Sequence, residues 1–136
     1  MMISTNNSHI LCYTTYFGMA SKLPSNVVPV CIVRHRPGWY NGLYCASLRP
    51  PQMILDAYKA HQITQDEYRH MYRQQVLLRL YPGIIMNKLQ RLVGSGCTPA
   101  LMCYEKSGQF CHRHIVSDWL TAYGLPCIEW QPQELI

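Results

Sequence analysis

The chain has no acidic residue before Asp56. Over that stretch Lys22, Arg34, Arg36 and Arg49 stand without an offsetting carboxylate, so the surface they build attracts an anion such as phosphate, a nucleotide or nucleic acid. Charge of either sign is scarce throughout, 14% of residues against the roughly 25% of an ordinary soluble domain, while apolar types reach 49%. That balance excludes disorder as the overall state. Twelve Lys and Arg against seven Asp and Glu leave +5 with neutral His. So small and dispersed an excess makes nucleic acid a less favoured partner than a phosphorylated small molecule or nucleotide.

The cysteines lack any regular spacing. Cys12, Cys31, Cys45, Cys97, Cys103, Cys111 and Cys127 form no CxxC pair, and seven is an odd number, so at least one thiol has no internal disulfide partner. Several lie in apolar runs, as Cys31 does within residues 27–33, where a free thiol packs as a small hydrophobe. A reducing, cytoplasmic setting is expected. The N-terminus carries neither a basic region nor a long apolar one, and no run approaches the ~18 apolar residues of a membrane span. Secretion and membrane insertion are therefore not expected. A length of 136 residues predicts one domain over 1–136, with flexible tails at 1–8 and 131–136.

Residues 9–17 are β-branched and aromatic, and residues 27–33 are apolar up to a basic turn; both read as strands. Residues 100–104, opened by Thr98 and Pro99, and the shorter 127–130 read as two more. Residues 51–60 carry Met53, Ile54, Ala57 and Tyr58 at helical spacing. Thr64 as N-cap with Glu67 three positions on opens a second helix, which bears Tyr68, Met71, Tyr72, Val76 and Leu80. Tyr81, Pro82 and Gly83 break it, and Ile84, Ile85, Leu89 and Leu92 continue as a separate helix. A last helix over 112–123 ends at Gly124, a C′ glycine. This order predicts an α/β fold, a small and mostly parallel sheet of about four strands flanked by helices.

Open α/β sheets bind ligands at the carboxyl ends of their strands. Beyond the second strand come Arg34, His35, Arg36, Pro37, Gly38, Trp39 and Tyr40; beyond the third come Cys103, Tyr104, Glu105 and Lys106, a short loop, then Cys111, His112, Arg113 and His114 opening the last helix. The free backbone N–H groups of that helix start, with Arg113, would form an anion site, and the same field would lower the pKa of a cysteine toward a nucleophilic thiolate. Strand, loop and arginine-bearing helix N-terminus are the parts shared by sulfur-transferring and phosphate-cleaving cysteine enzymes. The ten positions from Cys103 to Arg113 make a longer loop than the compact phosphate cradle of those enzymes.

The run Leu101-Met102-Cys103-Tyr104-Glu105-Lys106, the following Phe110-Cys111-His112-Arg113-His114, and Trp119-Leu120 resemble the domain-of-unknown-function family 488. The similarity extends to an opening strand of the form Tyr13-Thr14-Thr15-Tyr16, a second strand ending in arginine and proline, and the helix with Tyr68 and Tyr72. Where related members carry an acidic residue before the arginine of the second strand, this chain has Val33-Arg34, as in a shorter subgroup of bacterial and phage genomes. The resemblance implies the fold and the position of the site. It implies no particular reaction.

Each sharp reading has a bland counterpart. Cys103 is either a packed strand-end thiol or, with Cys111, a nucleophile. Glu105 is a general acid or base, or pairs with Arg113, and the pairing is slightly favoured. On the catalytic reading His112 is the candidate proton carrier. Cys103, Cys111, His112 and His114 are enough soft ligands for zinc, but the spacing fits no common zinc signature and neighbouring residues on one helical turn point apart, so neither metal nor cofactor is assigned. Arg34 and Arg113 are expected to hold the anion, with Tyr13, Trp39, Tyr40 and Tyr72 as aromatic ligand contacts. The resulting expectation is a cytoplasmic domain that binds a phosphorylated small molecule, nucleotide or nucleic-acid end at the strand carboxyl ends, with cysteine-based hydrolase or transferase chemistry only if there is catalysis, a question the residues leave open. The alternative is a non-catalytic module that sequesters such a ligand or docks on a protein.

Overall fold

The computed structural model describes residues 10–132. The tail expected at 1–8, and residues 133–136 of the other, lie outside the described residues; Gln131 and Pro132 are exposed and without regular structure. Five strands, β1 (Cys12–Tyr16), β2 (Val27–Cys31), β3 (Leu43–Tyr44), β4 (Thr98–Cys103) and β5 (Cys127–Glu129), form one sheet in the order β3-β2-β4-β1-β5. Every pairing is parallel. Four helices, α1 (Gln52–Lys59), α2 (Gln65–Gln75), α3 (Pro82–Val93) and α4 (His112–Ala122), supply the layers that bury it.

The apolar runs explain the middle of the sheet. Ala100, Leu101, Met102 and Cys103 of β4 are all fully buried, as a central parallel strand covered on both faces requires. The four expected strands are present. The fifth, β3, is two residues long, too short to show an alternating pattern, and pairs Leu43 and Tyr44 with Val30 and Cys31. It follows Gly42, where a Cβ would come within 2.7 Å of the Tyr40 hydroxyl.

Local chemistry sets the helix ends. Thr64 and Glu67 form both halves of a capping box, the Glu67 N–H donating to Thr64 Oγ1 at 3.1 Å and the Thr64 N–H to Glu67 Oε1 at 2.8 Å. The helix stops at Gln75 rather than reaching Leu80, because residues Leu77–Arg79 tighten into a 3₁₀ turn that buries Leu77 and leaves Leu78 in solvent. Pro82 then opens α3 at the position where its missing N–H costs nothing. At the end of α4 the N–H of Leu125 donates to Leu120 O and that of Gly124 to Thr121 O, with Gly124 at φ +79°, which is the Schellman arrangement.

Chain order within the sheet fixes where a ligand can enter. From β2 the chain moves outward to β3 at one edge, whereas from β4 it passes through α4 over β1 to β5 at the other. The carboxyl ends of the neighbouring strands β2 and β4 are therefore left uncovered between two connections that diverge, the switch point at which open α/β sheets form a crevice.

Candidate functional site

A cavity of about 600 Å³ occupies that crevice. The turn after β2 supplies Val33, Arg34 and His35; the segment between β4 and α4 supplies Tyr104, Glu105, Phe110, Cys111 and His112; α1 and α2 close the far wall with Leu55, Tyr58 and Tyr68. The Tyr104 hydroxyl donates to the His35 carbonyl, tying the two strand-end loops together at the rim. Tyr58, Tyr68 and Phe110 form an aromatic wall, with ring centroids 5.0 to 5.4 Å apart and tilted or edge-on. Arg69 lies over the Phe110 ring at 5.1 Å.

Three side chains converge at the inner end of the cavity, Cys111 and His112 lining it and Cys103 fully buried behind the lining. Cys103 Sγ lies 3.6 Å from His112 Nδ1 and 3.7 Å from Nε2, and Cys111 Sγ lies 3.9 Å from Nδ1. His112 Nε2 is 2.8 Å from the carbonyl oxygen of Ile32. A carbonyl only accepts, so Nε2 carries the proton and Nδ1 presents its lone pair to the thiols. The Tyr72 ring packs against the imidazole, centroids 5.6 Å apart, and fixes its orientation from behind. Cys111 and His112 are sequence neighbours yet point to one place because Cys111 is the N-cap of α4, with extended backbone (φ −159°, ψ 149°). The expected divergence of neighbouring residues on a helical turn does not apply at a cap.

The two thiols are driven in opposite directions. Burial, then a shared hydrogen bond with Cys111, pushes Cys103 well above the ordinary thiol value. Burial also opposes ionisation of Cys111, but once Nδ1 has taken the thiol proton, hydrogen bonds from Cys103 and from the His112 imidazolium, its charge and the backbone N–H of Arg113 outweigh burial and hold Cys111 well below that value. The helix N-terminus acts here on sulfur, through a main-chain N–H. Glu105, exposed on the rim, is held above the usual carboxylate range by partial desolvation and by the negative charge of Cys111. Burial first, then Cys111, Cys103 and Glu105, raise the Tyr68 hydroxyl.

The structure thus brings together Cys103, Cys111, His112, Glu105 and Arg34. Arg34 lines the cavity and is held there by Nε, which donates to the Pro50 carbonyl at 2.8 Å. The other expected contacts stand elsewhere. Arg113 is fully buried and lines no part of the cavity: its Nε and Nη2 donate to Glu129 Oε1 and Oε2 at 3.0 and 2.9 Å, and its Nη1 to the Glu105 carbonyl at 2.7 Å. The expected tie between Glu105 and Arg113 therefore exists through the main chain, not the carboxylate. Tyr13 pairs within β1, between Ala100 and Ile128. Trp39 is 66% exposed beside Phe17, and buried Tyr40 donates its hydroxyl to the Leu43 carbonyl. Tyr72 is fully buried with its hydroxyl on Leu48 O at 2.6 Å, and Tyr68, one turn earlier, is the tyrosine at the wall.

Tyr58 and Phe110 are lining residues that sequence reasoning passes over. Helical spacing marks Tyr68 and Tyr72 as sharing a face, but only the position of α2 against α4 decides which ring meets the cavity. Glu129 was invisible as the partner of Arg113, because sixteen positions and a helix separate them.

A family model described as DUF488-N3a, the active DUF488-N3 subclade, matches residues 19–124. No curated protein and no solved structure matches. The matched span takes in β2 through α4, and with them Cys103, Cys111 and His112. No helix among the described residues is long and apolar enough to cross a membrane.

Proposed function

Since the chain belongs to the active DUF488-N3 subclade, described as DUF488-N3a, we propose that it is a cytoplasmic cysteine-dependent hydrolase or transferase acting on a phosphorylated small molecule, a nucleotide above all. The observation that carries this reading is the convergence of buried Cys103 on Cys111 and His112, which line a cavity walled by aromatic rings and edged by Arg34. A planar base fits against Tyr58, Tyr68 and Phe110, and a phosphate group meets the Arg34 guanidinium. The seven free thiols suit a reducing compartment.

In this reading His112 Nδ1 takes the Cys111 proton, and Cys103 donates a hydrogen bond to the thiolate that results. Cys111 Sγ attacks phosphorus; the S–P bond forms as the bond from phosphorus to the leaving oxygen breaks, and protonated Glu105 gives that oxygen its proton. Water, or an acceptor hydroxyl in a transfer, then attacks the phosphoryl group. Its proton passes to the Glu105 carboxylate, and the S–P bond breaks to restore the thiolate.

The test is turnover and binding across a panel of nucleoside mono-, di- and triphosphates and sugar phosphates. Cys111→Ser is expected to abolish turnover while keeping ligand affinity, and Glu105→Gln to lower kcat by about 10²- to 10⁴-fold. Arg34→Ala, which removes a charge-assisted contact of ~1.5–3 kcal/mol, is expected to weaken ligand binding by about 10- to 100-fold. Binding without turnover in the native protein would favour the sequestering alternative. Unchanged turnover in Cys111→Ser would overturn the proposal.

A further inference from the structure

The geometry points to a zinc site made by Cys103 Sγ, Cys111 Sγ and His112 Nδ1, with the fourth coordination position open to the cavity. The three ligand atoms lie within 4.8 Å of one another and all three residues are buried. Zinc bonds of about 2.3 Å to sulfur and about 2.0–2.1 Å to nitrogen, at a tetrahedral angle, place S and N about 3.6 Å apart. The two sulfur-to-Nδ1 separations are 3.6 and 3.9 Å, close to that value, while Cys103 Sγ, 3.7 Å from Nε2 as well, must swing toward the Nδ1 side of the ring to complete the site.

Two further features fit a metal rather than chance proximity. The Ile32 carbonyl accepts the Nε2 proton at 2.8 Å, which is how metal-bound histidines are commonly held, and it leaves Nδ1 bare toward the sulfurs. Tyr72 packs on the ring and stops it turning away. Only three protein ligands are in reach among the described residues, and Cys111 and His112 both line the cavity, so the fourth position faces incoming water or ligand. Two thiolates and one neutral imidazole are a soft donor set, which selects zinc over magnesium or calcium.

This site bears on the proposed function at one point and rests on that reading there: zinc would occupy Cys111 Sγ and His112 Nδ1, the nucleophile and the base, so turnover is expected of the zinc-free protein. Zinc binding itself needs no substrate, so the two readings fail separately. The experiment starts from chelator-stripped full-length protein, given one equivalent of Zn²⁺ and examined by native mass spectrometry. One zinc per chain is expected, retained by Cys97→Ser and lost from Cys103→Ser and His112→Ala. Should those variants unfold, Co²⁺ added to the unaltered chain reads the same site, with sulfur-to-cobalt charge-transfer absorption of the strength of two thiolates and a tetrahedral visible band. Zinc should also block alkylation of Cys103 and Cys111 together. No zinc retained at one equivalent, an octahedral sulfur-free cobalt spectrum, or free alkylation of both thiols in the presence of zinc would each overturn the inference.

Discussion

Arg113 engages its guanidinium wholly inside the protein, in a two-pronged bond to Glu129 and a third bond to the Glu105 carbonyl. Glu129 is in turn held by Thr14 Oγ1 at 2.6 Å and Ser107 Oγ at 2.7 Å, so one carboxylate ties β1, β5, α4 and the loop of the cavity rim together. Burial opposes its ionisation, but the bonds from Arg113, Thr14 and Ser107 prevail and hold its pKa below the usual carboxylate value. A depressed acid stabilises the fold above its unfolded pKa of about 4.3, and that contribution is lost as pH falls through the folded value. Glu105, raised instead, has the opposite sign, its contribution being lost as pH rises from about 4.3 through its folded value. Glu129→Gln should destabilise the protein by about 3 kcal/mol at neutral pH, since a buried guanidinium loses its counter-charge. It should also flatten the loss of stability below about pH 4.3. Urea midpoints of both proteins across that range check both expectations, and an unchanged acid slope in the variant would assign it to other groups.

At the scale of elements, α2 begins where its capping box says it must, and Thr64→Ala is expected to cost about 1 kcal/mol, read as a shift in the urea midpoint without a change in slope. The same local signals made most of the fold legible. Apolar runs gave the four longer strands, the Thr64 and Glu67 pair gave a helix start, and Gly124 gave a helix end. Local signals end where non-local contacts decide. The two residues of β3 are strand only because β2 lies beside them, and the early end of α2 follows from Leu77 turning into the core. The site divides along the same line. Cys103, Glu105, Cys111 and His112 could be picked out because they flank one strand-loop-helix connection. Arg113 reads equally well as an anion ligand until the position of β5 shows Glu129 against it. Trp39, Tyr40 and Tyr13 carry the chemistry of a ligand contact but line no part of the cavity: Trp39 and Tyr40 pack on Phe17, and Tyr13 sits within β1 between β4 and β5.

On the scale of the whole molecule, the divergence of the chain from β2 and β4 opens one crevice, and the N-terminus of α4 enters it carrying Cys111. Seven free cysteines are distributed through the fold, and they make the chain its own control. Cys12, Cys31, Cys45 and Cys127 are buried away from the cavity lining, Cys97 is half-buried in the turn before β4, and Cys103 lies beneath Cys111. The distinguishing property of the site is that a largely buried thiol, Cys111, is held well below the ordinary thiol value by its neighbours. The most direct measurement is site-resolved alkylation of all seven cysteines in native, chelator-treated protein at stepped pH, read by peptide mass spectrometry. Cys111 should react with a midpoint well below the ordinary thiol value of about 8.5, and Cys103→Ala, which removes the hydrogen-bond donor, should move that midpoint upward. A Cys111 that stays unreactive until pH exceeds about 8.5, or a midpoint indifferent to Cys103 and His112, would contradict the thiolate site.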